Sequence, residues 1–112
     1  MKVTIEDDLV SSIKDSIKMG LVLKHIKIAG EQGIRFNELM RSLWKYWSKL
    51  SPATLSSYLK TLTEMGYVTV EVKTVGRTVE IRYKITEEGT KKLKEFIDRL
   101  IAVTEFLKTG VI

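Results

Sequence analysis

The chain has 112 residues, a net charge of +5, no cysteine and a single histidine. A chain of this length holds one domain with a small core. The missing cysteines exclude disulfides, thiolate metal sites and thiol sensing, and His25 cannot make a zinc site alone.

No run of about 18 apolar residues occurs and no signal-peptide pattern opens the chain, so a cytoplasmic protein without a membrane segment is expected. Gln32 and Asn37 are the only side-chain amides, while lysine and glutamate are plentiful. That balance is one thermophilic proteins favour.

The first element is helical. Leu9, Ile13 and Ile17 recur every four residues, and Leu21, Val22, Leu23, Ile26 and Ile28 follow beyond Gly20. The spacing predicts an added helix from Glu6 to Met19 and a first core helix from Gly20 to Ala29. One long helix bent at Gly20 fits the pattern equally. His25 falls at the surface or core border of this element.

Ile34, Phe36, Leu39, Met40 and Leu43 predict the next helix, with Asn37 as its cap and Glu38 near its positive end. Trp44, Tyr46 and Trp47 then crowd the connection. Tryptophans at helical spacing from Met40 and Leu43 are read as packed core or hinge, although three aromatics among basic residues also suit stacking on bases.

Ser51 is a good N-cap and Pro52 suits the first helical position. Leu55, Leu59 and Leu62 make one apolar stripe, bordered by Tyr58 and Met65, and Gly66 ends the helix. The opposite face carries Ala53, Ser57, Lys60 and Glu64, flanked by Thr54, Ser56 and Thr61. Such small side chains let a helix sit deep in a major groove, where hydroxyls reach phosphates or base edges. They equally suit a solvated face.

A strand, a two-residue turn at Gly76-Arg77 and a second strand come next. Gly-X is favoured in such turns, and it sets Val72 opposite Ile81, Val70 opposite Tyr83 and Val68 opposite Ile85. The other face then gains Lys73 opposite Glu80 and Glu71 opposite Arg82, leaving Arg77 and Lys84 as free cations of the ribbon. A wing arginine can enter a narrow minor groove. It is also an ordinary turn residue.

Thr86, followed by Glu87 and Glu88, caps a last helix expected to reach about Lys108, before Gly110. Leu93, Phe96, Leu100, Val103 and Leu107 follow three-four spacing, and Ile97, Ile101 and Phe106 widen the stripe. A face this broad serves more than one neighbour. Packed across a two-fold axis with Leu9, Ile13 and Ile17, it would make a homodimer; alternatively both ends complete a monomeric core.

Charge is not spread evenly. Residues 35–84 hold nine cations (Arg35, Arg41, Lys45, Lys49, Lys60, Lys73, Arg77, Arg82, Lys84) against four acids (Glu38, Glu64, Glu71, Glu80), whereas both flanks sum to zero. The whole excess lies in the middle of the chain. Arg41, Lys45, Lys49, Lys73 and Lys84 therefore join Lys60 and Arg77 as candidate phosphate contacts, since each neutralised phosphate releases counterions.

Ile34-Arg35-Phe36-Asn37-Glu38-Leu39, Leu50-Ser51-Pro52-Ala53-Thr54-Leu55-Ser56-Ser57-Tyr58-Leu59-Lys60, Glu64-Met65-Gly66-Tyr67-Val68, Gly76-Arg77 and Ile85-Thr86-Glu87-Glu88-Gly89 together resemble the winged-helix transcriptional regulators of the MarR, ArsR, PadR and HxlR type, with an archaeal source expected. The similarity covers roughly residues 20–95. It implies a mostly α, α+β fold: a single domain over 1–112, with an extension helix at 1–19, a winged helix-turn-helix core at 20–86 and a C-terminal dimerisation helix at 87–112. It implies a homodimeric, operator-binding repressor or activator that contacts double-stranded DNA through Ser51, Pro52, Ala53, Thr54, Ser56, Ser57, Lys60 and Arg77. The chain departs from the pattern in its aromatic connection and in having no arginine on the reading helix, so binding strength is expected from the surrounding cations.

No glycine-rich phosphate loop, nucleophile elbow, paired-carboxylate pocket or metal-ligand spacing is present, so neither catalysis nor a cofactor is expected. Acids such as Glu95 and Glu31 are placed to pair with Arg99 and Arg35 four residues on. Nothing in the pattern points to a small-molecule effector. Against sequence-specific DNA binding stand two other readings, a non-specific architectural DNA binder and a protein-interaction module of transcription or replication machinery.

Overall fold

A computed structural model describes the backbone of residues 5–110 and the side chains of residues 15–110. Helix α1 (Ile5–Ala29) is followed by a 3-10 turn (Gly30–Gln32), α2 (Phe36–Leu43), α3 (Pro52–Glu64), an antiparallel ribbon of β1 (Val68–Val75) and β2 (Thr78–Ile85), and α4 (Glu87–Thr109). This is a mostly helical α+β winged-helix fold. No helix among the described residues is long and apolar enough to cross a membrane.

The apolar stripes meet in one core. Val22, Leu23 and Ile26 of α1, Leu39, Met40 and Leu43 of α2, Leu55, Leu59 and Leu62 of α3, Val68 of β1 and Leu93 of α4 are all buried together with Leu50. Each contributes roughly 1.5–3 kcal/mol by leaving water. That packing fixes how α3 and the ribbon stand relative to α1 and α2.

Helix α1 does not divide at Gly20. It runs unbroken, so of the two arrangements the sequence allowed, the single helix is the one formed. Glycine serves here as clearance: a Cβ on Gly20 would lie 2.7 Å from Cε2 of Phe96, so the ring of α4 packs directly on the α1 backbone. The side chains of Leu9 and Ile13 lie outside the described residues.

Helix α2 starts one residue before the expected cap. Arg35 is its N-cap and Asn37 lies inside the first turn, with no side-chain capping bond. Immediately before it, Ile34 forms an isolated bridge with Tyr83, exchanging N–H···O bonds of 2.9 and 2.8 Å. This long-range pairing anchors β2 to the start of α2.

The ribbon has the expected register: Val68 faces Ile85, Val70 faces Tyr83 and Val72 faces Ile81. Gly76 has φ 62°, with Arg77 at ordinary negative φ, the pattern of a primed hairpin turn. At the ribbon's base Thr86 accepts a bond from Gly89 N–H at 2.9 Å, capping α4, and donates to Gly66 O at 2.6 Å. Gly66 itself stands at φ 80°, where the α3 helix stops.

Surface pairing differs from expectation at two places. Arg35 turns to Glu38 at 2.6 Å and Glu80 at 3.4 Å, leaving Glu31 aside, and Glu95 takes Lys92 at 3.3 Å instead of Arg99. His25, at the core border, bonds through Nδ1 to Leu21 O at 2.8 Å.

Candidate nucleic-acid interface

Helix α3 is built to present its first turns. The Ser51 hydroxyl accepts from Thr54 N–H at 3.1 Å and donates to the Thr54 hydroxyl at 2.9 Å, while Pro52 occupies the first turn, where its missing N–H costs nothing. Leu55, Leu59 and Leu62 are buried, which turns the opposite face outward. Ser51, Pro52, Ala53, Ser56, Ser57 and Lys60 are exposed there, and Thr54 is half-buried beside its cap partner.

The hydroxyls on this helix are not equivalent. Thr61 and Thr63 donate to the carbonyls of Ser57 and Leu59, four residues back, at 3.1 and 2.7 Å. The Ser51 proton is held by Thr54. Ser56 and Ser57 keep free hydroxyls among the described residues, so they are the ones able to donate outward. Tyr58 points the other way: its OH donates to Asp15 at 3.2 Å, and burial, then the Asp15 charge, raise its pKa.

The ribbon's charged face is more tightly self-neutralised than a straight cross-strand reading allows. Strand twist brings Lys84 diagonally onto Glu71, with Lys73 beside the same carboxylate at 3.4 Å. Arg82 pairs along its own strand with Glu80 at 3.2 Å and donates to the carbonyls of Gln32 and Gly33 at 3.3 and 3.5 Å. Lys84 is therefore not a free cation of the wing, and Lys73 is engaged as well. The hydrogen bond from Lys84 holds the Glu71 carboxyl below the usual glutamate range, and that from Arg82 does the same for Glu80. Arg35 likewise depresses Glu38.

What remains is a defined set. Arg41, Lys45, Lys49, Lys60 and Arg77 are exposed and form no ion pair among the described residues. Three lie on the end of α2 and the turn that leads into Ser51, one on α3 and one at the ribbon tip. Residues 39–63 contain no acid, so this surface is cationic without internal compensation. Glu64 closes it at the far end of α3.

The aromatic connection splits. Trp47 packs against the core, edge-on to Tyr58 with ring centroids 5.5 Å apart. Trp44 and Tyr46 do not: they are 46% and 68% exposed, so the packed-core reading holds for one ring of the three. Spacing from Met40 and Leu43 could not reveal this, because the turn leaves helical geometry after Trp44.

Residues 28–104 match the family of winged helix DNA-binding domains. No curated protein matches the sequence. Among solved structures, the fold is similar to a PadR-like transcription factor from Bacteroides fragilis (TM-score 0.76, 14% identity, 94% of this chain and 100% of that one). It is also similar to a PadR-like transcriptional regulator from Bacillus cereus (TM-score 0.71, 18% identity, 87% and 93%). A third likeness is to a PadR family transcriptional regulator from Eggerthella lenta (TM-score 0.67, 23% identity, 92% of each chain). At these identities the likeness establishes the fold.

Proposed function

The chain belongs to the winged helix DNA-binding domain family, and from that premise we infer that it binds duplex DNA sequence-specifically as a homodimeric transcriptional regulator. The observation that carries this reading is the sorting of its basic residues. Arg35, Lys73, Arg82 and Lys84 are tied to carboxylates, whereas Arg41, Lys45, Lys49, Lys60 and Arg77 are left free around α3 and the ribbon tip. Free cations neutralise phosphates, and paired ones do so at the cost of their partners. Ser56 and Ser57, with Ala53, then meet base edges in the major groove, and Arg77 reaches the flanking minor groove.

Support for two copies comes from α4. Ile97, Leu100, Ile101, Val103, Phe106 and Leu107 are all exposed, and a groove of about 530 Å³ lies between Leu100, Val103 and Leu107 of this helix and Ile17 of α1. An isolated chain leaves this apolar face in water, which a second copy would relieve. Two-fold symmetry sets the reading helices about 34 Å apart on successive major grooves.

Affinities for random and selected duplexes, measured across a salt series, test the proposal. A selected duplex is expected to bind at least about 10³-fold more tightly than random sequence. Equal affinity for every duplex would overturn sequence-specific regulation and leave an architectural binder.

A further inference from the structure

The turn between α2 and α3 carries two large rings that stand well out of the core. Trp44 is 46% exposed and Tyr46 68% exposed. A surface tryptophan commonly owes its place to an N–H that needs a partner. Here the indole already donates to Leu50 O at 2.9 Å, so what Trp44 shows to solvent is ring carbon. Tyr46 meets the edge of His25, with centroids 5.8 Å apart. Trp47, between them and α3, has the anchoring role: it takes the Lys18 ammonium on its face at 4.7 Å and rests against Tyr58.

The surroundings of the two outward rings specify an occupant. Arg41 and Lys45 lie three residues before and one after Trp44, Lys49 closes the turn, and none is in an ion pair among the described residues. Exposed carbon faces in a segment whose charged residues, from Arg41 to Lys49, are all cations fit a surface that alternates anionic and apolar groups. A sugar–phosphate strand has that character, with deoxyribose carbons between phosphates. Continuity points the same way, because the turn ends at Ser51, the cap of the helix assigned above to the major groove, and the Trp44 indole is bonded to the residue directly before that cap.

We propose that Trp44 and Tyr46 form a ledge that packs on the deoxyriboses of the strand flanking the α3 groove, with Lys45 and Lys49 on its phosphates. The ledge rests on the duplex-binding reading and extends the contacted strand beyond the reach of α3 and the wing. It is a non-ionic contact inserted into an ionic one. Its loss weakens binding without changing how binding depends on salt.

The experiment compares Tyr46→Ser, Trp44→Phe and Lys60→Gln on one selected duplex over a salt series, with thermal unfolding as a check on folding. Tyr46→Ser is expected to lose affinity about tenfold at an unchanged salt slope, while Lys60→Gln lowers the slope by about two, one for each copy in the dimer. Trp44→Phe keeps a smaller ring and gives up the Leu50 bond, and is expected to lose less affinity than Tyr46→Ser, also at an unchanged slope. Wild-type affinity for Tyr46→Ser beside a weakened Lys60→Gln would overturn the ledge alone. A larger loss from Trp44→Phe than from Tyr46→Ser would reduce Trp44 to a residue that shapes α3, against the proposal. Wild-type binding by both Tyr46→Ser and Lys60→Gln would take α3 and its turn out of the contact, and a wild-type chain that binds no duplex would overturn the duplex reading itself.

Discussion

A methyl group placed on Gly89 would lie 2.1 Å from the carbonyl oxygen of Tyr67. The first turn of α4 therefore sits directly against the backbone at the foot of the ribbon, and no side-chain rotation can make room there. Gly89→Ala is expected to destabilise the fold by about 3 kcal/mol or more, at the upper end of overpacking costs. Gly20→Ala meets only the edge of the Phe96 ring, which can tilt, and should cost about 1 kcal/mol. Urea unfolding of the two variants measures both; equal losses would contradict this account of the Gly89 contact.

Ser51→Ala removes the hydroxyl that accepts from Thr54 N–H. A loss of about 1 kcal/mol follows from the unsatisfied first turn. Duplex affinity should fall as well, because the Thr54 hydroxyl loses the partner that orients it. A variant with unaltered stability would show that Pro52 alone fixes the start of α3.

The pairing of the ribbon separates cations that the sequence placed together. Lys60→Gln and Arg77→Gln are each expected to reduce the slope of log affinity against log salt by about two, one for each copy in the dimer. Lys73→Gln and Lys84→Gln should reduce it by much less, since Glu71 already holds both. Glu71→Gln should act in the opposite direction and steepen the slope. A common slope change for all four lysine and arginine variants would show that the Glu71 pairs open on binding.

Substituting Ile101 or Val103 with lysine places a charge in the exposed apolar face of α4. Sedimentation equilibrium is expected to give a dimer for the wild-type chain and a monomer for these variants, with duplex affinity falling at least tenfold once two half-sites are no longer linked. An unchanged mass would remove α4 from the subunit contact.

Acid should loosen the ribbon before the core. Glu38, Glu71 and Glu80 have folded-state pKa values lowered by Arg35, Lys84 and Arg82, in each case chiefly through a hydrogen bond. For a depressed carboxylate the contribution to stability is fully present above its unfolded value, about 4.3, and is lost as pH falls through the folded one. Protection of β1 and β2 amides against hydrogen exchange, relative to the unfolded chain at the same pH, should therefore fall below about pH 4, ahead of amides in α3. A simultaneous fall would mean that the ion pairs do not act locally.

How much was legible in the sequence depends on how far apart the partners are. The ribbon register followed from a Gly-Arg turn and alternating valines, because a hairpin is specified by its own residues. The caps at Ser51 and Thr86 were legible for the same reason. Gly20 left two arrangements open, a break or one long helix, and only Phe96, distant in sequence, shows that the glycine serves as clearance. The Ile34–Tyr83 bridge and the Lys84–Glu71 pair likewise depend on packing and twist, which no local spacing records. At the candidate interface the cationic segment was evident, but which of its members are free, and which of Trp44, Tyr46 and Trp47 is buried, required the tertiary arrangement.

The bonds at the inner end of the ribbon bear on the thermodynamics of recognition. Ile34 holds Tyr83, while Arg82 reaches the carbonyls of Gln32 and Gly33, so the lower part of the hairpin is fastened to the start of α2 before any ligand arrives. Its backbone entropy is surrendered during folding and does not count against association. When Arg77 engages a duplex, little beyond its own side chain and the adjoining turn has to be immobilised. A preorganised arm of this kind favours slow dissociation from a matching site over fast capture of many.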